Sequence, residues 1–331
     1  MKKNVAIIAG GYSSEFEVSL RSAANLMTYI DREKYNVYQI ILHKEAWEVV
    51  IEEANAAAQR VVIDKNDFSF RKGNETVRID FAYITIHGTP GEDGLLQGYF
   101  DMLGIPYSSC GVLTSALTFN KYTCIQLLKS YDIRVADSIL IRKGQPVCSE
   151  KIVAGLGLPI FVKPNNGGSS FGVSKVKEAA QIPTAVEKAF REGSEVIIER
   201  FTAGIELTCG CYQSKNTIKA LPITEVIPKN EFFDYGAKYN GEVEEITPAR
   251  ISPTLTETIQ RETAKIYELI GAEGIIRIDY IVTADETPVL LEVNTTPGMT
   301  ATSFIPQQVR AAGLNMKEIM TEIIENKLNK C

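Results

Sequence analysis

Arg277-Ile278-Asp279 and Leu291-Glu292-Val293-Asn294 carry the side chains best suited to chemistry in this chain. Both segments alternate polar with apolar residues. In a strand, successive side chains face opposite ways. Arg277 and Asp279 therefore share one face with Ile276 and Ile278 behind them, and Glu292 and Asn294 share one face with Leu291 and Val293 behind. Ala284-Asp285-Glu286-Thr287-Pro288, lying between, reads as a turn. The spacing predicts a hairpin that gathers two carboxylates, an amide oxygen and a guanidinium on one side. Hard oxygen ligands of this kind suit Mg2+ that also holds phosphate oxygens. A surface hairpin with a solvated polar face would show the same alternation.

A second cluster points to an anion. Leu158-Pro159-Ile160-Phe161-Val162-Lys163-Pro164 ends an apolar strand with a lysine, on the face that Phe161 shares. Asn165-Asn166-Gly167-Gly168-Ser169-Ser170-Phe171-Gly172 follows, and Gly and Ser free backbone amides to wrap a phosphate. The lysine precedes the glycines, so this is no Walker A loop. Lys121, in Phe119-Asn120-Lys121, is a weaker signal still, since a lone helical lysine is usually just solvated.

The elements that must hold these groups fall into three blocks. The first alternates strands and helices: a strand at Val5–Ala9, a helix from about Glu17 to Ile30 opened by a capping box in Ser14-Glu15-Phe16-Glu17, strands at Val37–Leu42 and Phe81–Ile86, and a helix at Leu95–Leu103. Residues 43–80 suggest a helix near Lys44–Ala58 and a variable hairpin. Such alternation implies a parallel sheet covered on both sides, with ligands at the carboxyl ends of its strands, here Gly10–Glu15 and His87–Asp93. The second block, from about Thr114, reads as a helix at Lys121–Ser130, strands at Ser138–Ile141, Pro159–Lys163, Gly172–Val176 and Glu195–Glu199, and a helix near Pro183–Arg191. The third, from about Gly204, is strand-rich, with helices near Thr254–Ile270 and Lys317–Asn329.

Composition excludes several classes. The chain has 331 residues and a net charge of −6, with no basic run, which argues against a nucleic-acid surface. The six cysteines form no CxxC pair, and Cys209-Gly210-Cys211 has poor metal-ligand spacing, so small buried hydrophobes in a reducing compartment are expected. The apolar run after Met1-Lys2-Lys3 breaks at Gly10-Gly11, too short for a signal peptide. No stretch approaches the roughly 20 apolar residues of a membrane span. A cytoplasmic protein is expected.

The strand ending in Lys163-Pro164, its Gly/Ser loop, the downstream Glu199-Arg200 pair, Arg277-x-Asp279 and Glu292-x-Asn294 together resemble the ATP-grasp fold. Gly10-Gly11-Tyr12-Ser13-Ser14-Glu15-Phe16-Glu17-Val18-Ser19-Leu20 narrows the resemblance. So do Ile86-His87-Gly88-Thr89-Pro90-Gly91-Glu92-Asp93-Gly94, Phe233-Asp234-Tyr235-Gly236-Ala237-Lys238-Tyr239 and Asn294-Thr295-Thr296-Pro297-Gly298-Met299-Thr300. In that order and over essentially the whole chain, they are similar to the D-alanine–D-alanine ligase family. Segment 43–80 diverges, and Phe304 stands where another apolar residue is common.

The resemblance implies an α/β (α+β) fold: a Rossmann-like parallel-sheet domain (1–113), then a two-lobed ATP-grasp unit with a small central domain (114–203) and a catalytic C-terminal domain (204–331). It implies ATP-dependent joining of two D-alanines through a D-alanyl phosphate, for peptidoglycan precursors, by a homodimer. Lys121 and Lys163 would bind phosphates, the Ser169 loop would close over the nucleotide, Glu199 would meet the adenine, Glu206 the ribose, and Lys238 the γ-phosphate. Asp279, Glu292 and Asn294 would hold two Mg2+ ions, with Mn2+ as a substitute. Arg277 and the Gly298 amide would stabilise the oxyanion, Glu15 would hold the first D-alanine's ammonium with His87 nearby, and Ser303 and the Phe304 amide would take the second D-alanine's carboxylate. Tyr239, in a hydrogen-bond chain with Ser169 and Glu15, implies an amine acceptor, since relatives making the D-lactate ester often carry Phe there.

Three alternatives stand beside this reading. One is a relative that joins D-alanine to another acceptor such as D-lactate. A second is a nucleotide-binding protein without chemistry, which the intact Arg277, Asp279, Glu292 and Asn294 argue against. A third is a nicotinamide-dependent dehydrogenase, which the absence of GxGxxG after the first strand disfavours.

Overall fold

Val5-Ala6-Ile7-Ile8-Ala9 offers no polar side chain to water, and all five are wholly buried. They form the middle of β1 (Lys3–Gly10) in a computed structural model that describes residues 2–51, 59–168, 171–215, 217–228 and 243–329. β2 (Tyr35–Leu42) and β7 (Phe81–Ile84) flank β1 in parallel. β3 (Trp47–Ile51) and β4 (Gln59–Val62) extend the sheet antiparallel, giving the order β4-β3-β2-β1-β7. The sheet is therefore mixed, not purely parallel.

The helix expected near Lys44–Ala58 is absent over its described part. Trp47, Val49 and Ile51 are buried while Glu48 and Val50 are half-buried, a period of two that fits a strand and not a helix. β-Branched residues add to that preference. Residues 52–58 lie outside the described ones. The expected hairpin is β5 (Ser69–Lys72) paired with β6 (Glu75–Arg78). The capping box is also not formed: helix Phe16–Tyr29 has Glu15 at its N-cap and no side-chain cap, while Ser13 Oγ accepts from the Glu15 amide at 3.2 Å.

The second sheet runs β10-β9-β11-β8, wholly antiparallel, from β8 (Ser138–Arg142), β9 (Ile160–Pro164), β10 (Ser174–Val176) and β11 (Glu195–Arg200). Helices Ser149–Leu156 and Ile182–Ala189 cover it through Ile152, Leu156, Ile182 and Val186. The third sheet runs β15-β14-β12-β16-β17, with β13 (Thr217–Ala220) beside β12 (Ile205–Ser214). Its other strands are β14 (Thr224–Pro228), β15 (Val243–Ile246), β16 (Ile275–Val282) and β17 (Pro288–Asn294). Helix Pro253–Leu269 buries Leu255, Ile259 and Ile266 beneath it. Helices Val112–Phe119 and Phe304–Ala311 also form, which periodicity did not single out.

The core is not closed block by block. Helix Met316–Leu328 sets Ile319, Met320, Ile323 and Ile324 against Val5, Ile7, Leu26 and Phe81 of the first sheet and its helix. Each such fully buried side chain is worth about 1.5–3 kcal/mol. The end of the chain thus helps to seal its beginning. No described helix is long and apolar enough to cross a membrane.

Candidate active site

The predicted hairpin forms. β16 and β17 pair with Arg277 opposite Asn294 and Asp279 opposite Glu292, and the register shifts directly after Asp279. Ile276 and Ile278 are fully buried on the far face, so apolar burial turns the polar face towards the cleft. Arg277 donates through Nε and Nη2 to both oxygens of Asp279, at 2.9 and 2.8 Å. Such a two-pronged pair fixes the guanidinium plane. Burial works against the charge on Arg277, but Asp279, Glu292 and Glu92 outweigh it and hold the group above its ordinary range. Thr208 on β12 donates to Asp279 Oδ1 at 2.5 Å, and Asn294 Oδ1 accepts from the Thr296 amide at 3.0 Å.

The second sheet supplies the opposing wall. Lys163 on β9 and Glu199 on β11 are both buried and paired at 2.7 Å. Lys121 begins helix Lys121–Lys129, whose N-cap Asn120 accepts from the Thr123 amide at 3.0 Å. The Lys121 ammonium bonds the Gly167 carbonyl and lies 3.7 Å from Glu292, so one lysine ties the glycine loop to the hairpin. Between the walls lies a cavity of about 930 Å3, lined also by Glu206 on β12.

The segments that follow β1 and β7 bring Glu15, His87 and Glu92 to the cavity. His87 is buried, and its Nε2 has no hydrogen-bond partner among the described residues. Burial lowers its pKa, Glu15 opposes that shift and Arg277 adds to it. Glu92 accepts from the Gly88 amide at 2.6 Å. Burial first, then the neighbouring Glu15, push its carboxyl up to about 8, against the Gly88 amide and Lys121. Gly168 lies on the carboxylate of Glu15: a Cβ there would stand 2.7 Å from Oε2.

The loop after β17 is gripped from the first block. Met299 donates its amide to Ser22 Oγ at 3.2 Å and accepts from Asn25 Nδ2 at 2.7 Å. Gly298 precedes it and lines the cavity. Ser303 is the N-cap of helix Phe304–Ala311, but its hydroxyl bonds Thr300 instead of capping. Phe304 sits with its ring centre 5.4 Å from the Arg277 guanidinium, a cation–π contact. Gln308, fully buried, anchors this helix by accepting from the Gly210 amide at 2.8 Å and donating to Thr208 O at 3.0 Å.

Thirteen of the expected site positions can thus be placed, and they converge on one cavity: Glu15, His87, Lys121, Lys163, Glu199, Glu206, Arg277, Asp279, Glu292, Asn294, Gly298, Ser303 and Phe304. Ser169, Lys238 and Tyr239 lie outside the described residues. Glu92 carried no expected role, although it stands in the same His87–Gly94 motif. Thr208 and Gln308 had no local signal, since their partners are distant in sequence.

A cavity clamped between two antiparallel sheets, with lysines on one wall and an arginine–carboxylate hairpin on the other, defines an ATP-grasp enzyme. The family model described as D-ala D-ala ligase N-terminus matches residues 4–110, and D-ala D-ala ligase C-terminus matches 127–325. The chain belongs to the D-alanine–D-alanine ligase family and is a ligase. It is 60% identical over 328 residues to the D-alanine--D-alanine ligase of Parabacteroides distasonis, covering 99% of this chain and 98% of that protein. The VanG D-Ala:D-Ser ligase from Enterococcus faecalis superposes with a TM-score of 0.86 at 30% identity, covering 98% and 99%. The D-alanine--D-Alanine ligase from Bacillus anthracis complexed with ATP gives 0.77 at 28%, covering 99% and 97%.

Proposed function

We propose that this ligase joins two D-alanines at the expense of ATP, in two steps at one site. A carboxylate is a poor electrophile, so the first D-alanine's carboxylate attacks the γ-phosphate and forms an acyl phosphate with release of ADP. The second D-alanine's amine then attacks the acyl carbon, and phosphate leaves from a tetrahedral intermediate. The acceptor is the amine of D-alanine and not the hydroxyl of D-lactate.

The observation that carries this reading is the hairpin: Arg277 and Asp279 lie opposite Asn294 and Glu292 across one cavity from Lys121 and Lys163. In our reading the lysines bind phosphates, Glu199 the adenine and Glu206 the ribose. We assign Lys238 to the γ-phosphate and Ser169 and Tyr239 to the same site, all three lying outside the described residues. Arg277 and the Gly298 amide stabilise the oxyanion, each donor contributing about 3–4 kcal/mol in comparable sites. Glu15 holds the first ammonium beside His87, whose Nε2, without a partner among the described residues, leaves room for a substrate contact. Ser303 and the Phe304 amide receive the second carboxylate, as an uncapped helix N-terminus can.

Asp279, Glu292 and Asn294 are an oxygen-only donor set, and among the described residues no group of three or more His, Cys, Asp or Glu is placed to hold a metal ion by itself. Such an open set fits Mg2+, or Mn2+ in its place, completed by phosphate oxygens. Two bound ions would neutralise charge on the triphosphate.

We take residues 1–113, 114–203 and 204–331 as the domains and the active form as a homodimer. The test is phosphate release from ATP and Mg2+ with and without D-alanine, with product mass. Release that requires D-alanine and yields D-alanyl-D-alanine is expected. Release independent of D-alanine, or none, overturns the proposal.

A further inference from the structure

Glu245 is among the charged side chains on the cavity wall that take no part in the steps above. Glu245, on β15, faces the cavity across the sheet from Glu206: Glu206 pairs with Val226 and Val226 with Glu245, and directly opposed residues share a face. Its Oε2 accepts from Gln307 Nε2 at 2.5 Å, and the same amide donates to the Thr302 carbonyl at 2.7 Å. Gln307 lies one turn into helix Phe304–Ala311, and Thr302 stands immediately before Ser303. The carboxylate is thus tethered beside the helix N-terminus; burial raises its pKa, and the Gln307 bond and the charge of Arg277 oppose that shift. Arg277 itself is committed to Asp279 by two hydrogen bonds.

We propose that Glu245, held in place by Gln307, is a specificity-determining residue that selects the acceptor by its net charge, favouring a zwitterionic amino acid over a hydroxy acid. The inference rests on the acceptor site assigned above to Ser303 and Phe304. Any 2-substituted acid brings a carboxylate to that helix N-terminus, which attracts it. D-Alanine brings an ammonium as well and is neutral overall, whereas D-lactate brings a net negative charge. A fixed carboxylate nearby repels only the second. Glu245 is exposed to the open cavity, so solvent tempers the repulsion to roughly tenfold in relative affinity.

The experiment is dipeptide formation from ATP, Mg2+ and D-alanine with D-lactate as competitor, read as D-lactate inhibition relative to the acceptor KM and as ester-to-dipeptide ratio by mass. Glu245→Gln should raise relative D-lactate affinity about tenfold, while Glu245→Asp should stay near wild type. A role confined to the Gln307 contact gives the reverse order, because Gln retains that bond and the shorter Asp loses it, and this result overturns the proposal. Unchanged D-lactate discrimination in Glu245→Gln with dipeptide still formed also overturns it. Gln307→Leu frees the carboxylate without removing its charge and should give an intermediate shift. If the Glu245 variants do not fold, an unchanged ratio in Gln307→Leu overturns the proposal. A wild-type chain that forms no dipeptide sinks the acceptor assignment, and the inference with it.

Discussion

The side-chain amide of Asn25 donates to the carbonyl of Met299 at 2.7 Å, across 274 residues of sequence. With Ser22 accepting from the Met299 amide, it makes helix Phe16–Tyr29 a clamp on the loop that carries Gly298. The loop that carries Gly298, proposed above as an oxyanion donor, is therefore held by the first block.

Asn25→Ala should lower kcat with little change in KM for ATP. The bond touches no nucleotide-binding residue, and losing one partly buried hydrogen bond costs about 1–3 kcal/mol. Steady-state kinetics at saturating ATP measure it, and a raised KM for ATP with normal kcat would assign the clamp a different role.

Arg277→Ala should abolish dipeptide formation while ATP still binds. In the role proposed above the guanidinium acts on charge that develops in the transition state, so its loss should fall on kcat. Nucleotide titration followed by calorimetry alongside turnover separates the two, and near-normal turnover would remove Arg277 from the mechanism.

Gly168→Ala should raise the KM for the first D-alanine. The new methyl would meet Glu15 Oε2 at 2.7 Å, and the carboxylate that must move is the one assigned to the substrate ammonium. Glu15→Gln should not compound the effect additively, because both changes act on one contact. A fully additive double variant speaks against the contact.

Glu92→Gln should stabilise the fold progressively as pH rises from about 4.5 to about 8. The carboxyl's proton affinity is raised on folding, so the folded state binds more protons than the unfolded one in that window. Stability from this group is complete below its ordinary value and is lost as pH rises through the raised one. A neutral amide keeps the Gly88 bond without that loss. The Tm difference between variant and wild type should be near zero at pH 4.5 and positive at pH 8. An equal difference at both would contradict it.

The hairpin and its polar face were legible in the sequence because the strand period is local: Arg277, Asp279, Glu292 and Asn294 need only alternate with buried Ile and Val to share a side. The same local logic placed β1, β9 and helix Leu95–Leu103. It could have placed β3 too, since Trp47, Val49 and Ile51 alternate, but the polar surroundings suggested a helix. The capping box at Ser14–Glu17 fits the sequence pattern, yet Ser13 bonds the Glu15 amide and the box is not made. What spacing cannot express is which distant faces meet. The Glu92 carboxyl becomes unusual only when folding packs it near Glu15 and Glu292 in a desolvated corner. Thr208 matters only because β12 pairs with β16, and Gln308 only because Gly210 leaves room for it. Alternation, turns and glycine loops are properties of neighbouring residues and were settled by the sequence itself. Proton affinity, the grip of Asn25 on Met299 and the Glu245–Gln307 tether arise from burial and from contacts between remote segments, which exist only once the chain has folded.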